Sequence, residues 1–222
     1  TDGVRSEWLI NYRGGSFLLP DLPGLRRSAS LAGVTFEPVD GGTLSDIRRT
    51  IADGNMDAVP LEKAPRIAVY APPQSMPWDD AVTLALTYAG IPYTNIWDDV
   101  VLDTDLSQFD WIHLHHEDFT GQQHKLYLGF RDAPWYIQAR ERDLAMARRH
   151  GIQDIPTLKK TVADRLRGFV ERGGFLFAMC GATETIELAI AALGVDIAGA
   201  QTDGTAMDPD AESKLNWNRT FA

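Results

Sequence analysis

The chain predicts an α/β protein built on a mainly parallel sheet, and three observations carry that expectation. Short apolar runs alternate with segments of helical spacing. Turn residues punctuate nearly every junction, as in Pro72-Pro73, Gly90 and Gly173-Gly174. The runs from Arg66 to Ala71 and from Phe175 to Met179 are apolar on both faces, the pattern of strands covered from both sides.

In order, Glu7 to Tyr12 reads as a strand, Gly14-Gly15 as a turn, and Ser16 to Leu19 as an extended piece stopped by Pro20. Leu22 to Leu31 has Pro23 at a helix start and Gly33 after its end, and Val34 to Val39 follows as a short strand. Thr43 or Ser45 caps a helix through Ile51 that Gly54-Asn55 closes, and Asp57 to Pro65 reads as a connector.

The alternation is clearer afterwards. Arg66 to Ala71 is a strand ended by Pro72-Pro73, Trp78 to Ala89 a helix closed by Gly90, and Tyr93 to Trp97 a strand. Asp110 to His115 is the next strand. Helices follow over Ala133 to His150 and Pro156 to Arg172, then the strand into Cys180, then a helix over Thr183 to Leu193. The expected organisation is an N-terminal α/β segment over 1–63, a main α/β domain over 64–200 and a polar tail or loop over 201–222. Both ends of the natural protein are expected to extend further, because Thr1 is no initiator and the last residues carry no stop signal.

Composition narrows the function. With 44% hydrophobic residues in 222, the chain can bury a substantial core. A net charge of −10 and Arg pairs scattered among acids argue against nucleic acid as a partner. No run of about 18 apolar residues is present, so no transmembrane helix is expected. One cysteine excludes an intrachain disulfide and a cysteine-cluster metal site; it leaves the compartment, cytoplasmic or periplasmic, open.

In parallel sheets, sites form beyond the carboxyl ends of the strands. This directs attention to 71–77, 115–120 and 180–184. Cys180 ends an apolar strand just before a helix, where free N–H groups and the helix dipole favour a thiolate and an oxyanion. Gly181 and Ala182 are the expected oxyanion donors, and Glu184 a substrate contact. The cluster His113-Leu114-His115-His116-Glu117 holds three of the five histidines, so His115, His116 and Glu117 are the candidate acid–base groups. The same cluster has the chemistry of a zinc or iron site, although no metal or other cofactor is expected. Asn11 to Ser16 resembles an anion nest in which Arg13 holds a carboxylate; a plain turn explains it better. Trp78-Asp79-Asp80 reads as a helix entry.

Ala178-Met179-Cys180-Gly181-Ala182, placed between strand and helix, resembles the elbow of the class I glutamine amidotransferase-like superfamily, which includes the DJ-1/PfpI group. The likeness covers roughly Ala64 to Val195 and implies a flavodoxin-like three-layer sandwich with a cysteine nucleophile. More narrowly, Leu9-Ile10-Asn11-Tyr12-Arg13-Gly14-Gly15-Ser16-Phe17, His113 to Phe119 and Phe175 to Cys180 look like a bacterial family labelled "asparagine synthetase B". That label implies an N-terminal cysteine and a Ser-Gly-Gly-x-Asp-Ser loop. Neither is present, so ATP-dependent asparagine synthesis is rejected.

The chain also departs from the amidotransferase pattern. Ala178 and Ala182 stand where that elbow usually has glycine, and no histidine follows Cys180. The base is therefore His115 or His116, or it lies in a segment further along the natural chain. Three readings result: a cysteine hydrolase acting on a small amide, a non-catalytic accessory subunit that keeps the fold and binds a protein partner or a second copy of itself, or a metal-dependent enzyme using His115, His116 and Glu117.

Overall fold

The computed structural model describes residues 5–31, 33–73, 75–121, 127–203 and 205–221. Residues 1–4, residue 74 within the segment singled out at 71–77 and residue 204 within the tail read at 201–222 lie outside that set. The chain divides into two compact units, Thr1–Ala64 and Pro65–Ala222.

The first unit is a three-stranded antiparallel sheet with two helices. Strands β1 (Glu7–Ile10), β2 (Ser16–Leu18) and β3 (Asp57–Pro60) run in the order β2-β1-β3, with Trp8 opposite both Phe17 and Val59. Helices α1 (Leu25–Leu31) and α2 (Gly41–Asp53) lie between β2 and β3 in sequence. Leu9, Leu18 and Ile51 form the unit's small buried core.

Three expectations are corrected here. Val34 to Val39 is not a strand: among the described residues it pairs with none of β1, β2 and β3, and its apolar side chains stay exposed, with no sheet face to cover. The supposed connector begins with β3 instead. Asp40, not Thr43 or Ser45, caps α2, its carboxylate accepting the Thr43 N–H at 2.7 Å.

In the second unit, β4 (Ile67–Tyr70), β5 (Tyr93–Ile96), β6 (Trp111–Leu114) and β7 (Phe175–Ala178) form a parallel sheet in the order β5-β4-β6-β7. Helices α3 (Ala81–Tyr88) and α4 (Asp98–Asp103) make the first two crossovers. The third carries α5 (Tyr127–Phe130), α6 (Pro134–Arg149) and α7 (Ile155–Glu171). Helix α8 (Gly181–Ala191) follows β7 directly, and a short α9 (Ala200–Asp203) comes after it.

Alternation along each strand sorts the two faces. Ala68, Tyr70, Ile112 and Leu114 pack with Val101 of α4, Val162, Leu166 and Phe169 of α7, and Ile186 and Ile190 of α8. Ile67 and Val69 face Leu86 of α3 on the opposite side. Helices on both faces make this the expected flavodoxin-like three-layer sandwich, with the smaller α/β segment preceding it. The segment read as a polar tail is partly built in: Ala211 is buried, and the Asn216 N–H donates to the Ala191 carbonyl at 2.9 Å.

Burying ions in this core requires pairing. The Lys159 ammonium meets Asp98 Oδ2 at 2.6 Å, donates to Tyr70 Oη at 3.3 Å and lies 4.0 Å from the Trp97 ring centre. The Tyr70 hydroxyl donates to Asp98 in turn, and burial holds that phenol well above its ordinary pKa. Among the described residues, no helix is long and apolar enough to cross a membrane.

Candidate active site

Cys180 has φ 54° and ψ −138°, a backbone conformation that only glycine adopts without strain. Strain of about 1–3 kcal/mol persists at such a residue only where its surroundings enforce it. Here they do on both sides. The Met179 N–H donates to the Leu114 carbonyl at 3.1 Å, extending the β6–β7 ladder, and α8 begins at the next residue. The helix thus starts two residues earlier than its sequence pattern suggested, and Cys180 itself is the N-cap. Its thiol makes no capping bond and is exposed. The Cys180 carbonyl accepts both the N–H and the hydroxyl of Thr183, at 3.3 and 2.7 Å.

The loop after β6 is tied to the first turn of α8. The Ala182 N–H donates to the His115 carbonyl at 3.2 Å, and the Thr185 hydroxyl donates to the Glu117 carbonyl at 2.9 Å. A Cβ on Gly181 would approach the His116 carbonyl at 3.6 Å. His115, His116, Glu117, Cys180, Gly181 and Ala182 are therefore brought together at the carboxyl ends of β6 and β7. Because the Ala182 N–H is committed to His115, Gly181 supplies the N–H that has no partner among the described residues.

A residue that the sequence reading left as a helix entry completes the cluster. Asp80 caps α3, its Oδ1 accepting the N–H groups of Val82 and Thr83 at 2.7 and 3.2 Å. Its Oδ2 meets His115 Nδ1 at 2.5 Å. His116 Nδ1 lies 3.1 Å from His115 Nδ1 and 3.5 Å from Asp80 Oδ2. Burial alone would raise the Asp80 carboxyl, but the bonds from His115 and the two backbone N–H groups outweigh it and hold it below its ordinary pKa. Asp80 and His115 are well shielded, with side chains 8% and 19% exposed, whereas that of His116 is 53% exposed.

Glu117 is buried, and desolvation raises its carboxyl pKa; its Oε2 accepts the His115 backbone N–H at 3.2 Å. His113 is buried beneath the cluster against the Phe177 ring, and both its nitrogens lack a hydrogen-bond partner among the described residues. Desolvation lowers its pKa, so it stays a neutral core residue. Glu184 is exposed in the first turn of α8. Arg13 belongs to the first unit, where it sits in a left-handed turn and its guanidinium pairs with Glu37 at 2.7 Å. Two cavities of about 380 and 440 Å³ are present in the second unit, and none of the cluster residues lines either.

Set against known proteins, this chain matches no family model, no curated protein and no solved structure.

Proposed function

We propose that the protein is a cysteine-nucleophile hydrolase of the glutamine amidotransferase-like kind, acting on a small amide or related acyl compound. The observation that supports this most is the strained Cys180 at a strand-to-helix turn, stitched to the loop that presents His115 and, through it, Asp80. An acid at Nδ1 fixes the imidazole tautomer and stabilises the imidazolium, the role a carboxylate plays in a catalytic triad.

In this reading Cys180 Sγ, deprotonated by His115, attacks the carbonyl carbon. The oxyanion that forms is held by the Gly181 N–H at the amino end of α8. Collapse breaks the C–N bond, and the departing nitrogen takes the proton from His115. Water activated by the same imidazole then cleaves the thioester, releasing the acid and restoring the thiol.

The test is incubation with an activated acyl ester such as p-nitrophenyl acetate. The expected result is a burst and an acyl adduct on Cys180, absent in Cys180→Ser and slowed in His115→Ala. A thiol in the folded protein that resists iodoacetamide would overturn the reading.

A second reading, a non-catalytic binding subunit, draws on the open edge of the sheet. Strand β7 is an edge strand, and its Phe175 and Phe177 are 57% and 45% exposed. Recovery of the protein in a stable complex that Cys180→Ala leaves intact would favour it.

A further inference from the structure

Asp80 Oδ2, His115 Nδ1 and His116 Nδ1 converge on one point, with mutual separations of 2.5, 3.1 and 3.5 Å. No arrangement of protons gives all three pairs a hydrogen bond of their own. A neutral imidazole nitrogen either donates or accepts. If His115 Nδ1 carries a proton and gives it to Asp80, it has no lone pair to receive one from His116. The His116 nitrogen then either takes a share of that N–H in a three-centre bond or turns its own N–H toward Asp80 at 3.5 Å, facing the His115 N–H. If instead His116 Nδ1 donates to His115, the His115 lone pair is spent and the carboxylate faces a nitrogen that has nothing to give it, at 2.5 Å. Neither tautomer serves every contact.

We propose that these three atoms form a binding site for a single divalent transition cation of the zinc class. Two imidazoles and one carboxylate with a position left open are a donor set that suits zinc. Ligands about 2.05 Å from a tetrahedral ion lie roughly 3.3 Å apart. The two contacts of His116 bracket that value, and the His115–Asp80 edge opens by somewhat under one ångström on loading.

The surroundings supply the support such a site needs. Asp80 is fixed by its two backbone N–H donors at the start of α3. The His115 backbone is held by Glu117 on one side and Ala182 on the other. The exposed His116 side chain provides the entry path. The site uses Asp80 and His115 in a way that excludes their service to Cys180, because the cation takes the place of the proton they share. It rests on the three converging atoms and not on the reactivity of the thiol.

Titration of the full chain with zinc chloride, followed by calorimetry, should show one ion per chain. Cobalt chloride should develop the visible bands of a low-coordinate site. Both signals should persist in Cys180→Ser. In His116→Ala, whose folding circular dichroism checks, zinc affinity should fall by about 100-fold or more. Absence of stoichiometric binding, binding by His116→Ala equal to that of the parent, or loss of binding in Cys180→Ser would each overturn the site. Iodoacetamide labelling of the metal-free protein, run in parallel, keeps the two readings apart: it reports on Cys180 whatever the titration shows.

Discussion

The carboxylate of Asp80 reaches His115 Nδ1 at 2.5 Å across 35 residues of sequence, joining the start of α3 to the end of β6. Asn at position 80 would keep the helix cap, since Asn and Asp cap about equally well. It would deprive His115 of its anionic partner. Asp80→Asn should therefore fold with little change in melting temperature while acylation of Cys180 by an activated ester slows by about 10²- to 10⁴-fold. Stopped-flow rates beside a thermal melt check both halves.

The backbone at Cys180 gives a second expectation. Glycine adopts φ 54°, ψ −138° without a Cβ penalty, whereas alanine keeps the strain. Cys180→Gly should exceed Cys180→Ala in stability by about 1 kcal/mol, after allowance for the greater freedom of glycine in the unfolded chain. Urea unfolding of the two variants decides it. Equal stabilities would mean that the elbow is relaxed.

Lys159 and Asp98 are both buried, so removing one partner exposes the other to an uncompensated environment. Lys159→Met should cost about 3–5 kcal/mol. Adding Asp98→Asn should restore much of that, because Asn still accepts the Tyr70 hydroxyl and carries no charge. A double-mutant cycle measured by denaturant unfolding reads the coupling.

Asp143 on α6 is buried, and desolvation raises its pKa above its ordinary value against a smaller opposing pull from Lys159. The native state then binds more protons than the unfolded state between the ordinary value near 3.9 and the raised one. Stability falls as pH rises through that window, and the ionised carboxylate is a cost at neutral pH. Asp143→Asn should raise the melting temperature at pH 7, by roughly 2–4 °C for each kcal/mol gained. The gain should shrink as pH approaches about 4.

The second unit was the more legible part of the chain. Strands β4 and β7 are unbroken apolar runs, β5 and β6 are short runs with apolar ends, and each was recognisable within a residue or two. Cys180 was visible for the same reason, as a thiol at a strand end followed by a helix. Val34 to Val39 and Asp57 to Pro60 were exchanged because both are short, and strand identity there depends on which segment reaches the free edge of β1. Helix α4 went unread because six residues beginning Asp98-Asp99 carry little periodicity. Asp80 escaped because a capping acid has the same appearance whether or not its second oxygen is engaged. Only the topology that sets α3 beside β6 reveals the other contact.

The stitches from Ala182 to His115 and from Thr185 to Glu117 join two strand ends that are far apart in the chain. The Cys180 elbow and the His115 loop are thereby referenced to each other and not to the long excursion between them. That excursion is free to lengthen, shorten or drift in sequence outside the core face of α7, while the spacing at the site is preserved. The geometry at these two strand ends is carried by a pair of brief, separated signatures, and the surface around them can change without moving one relative to the other.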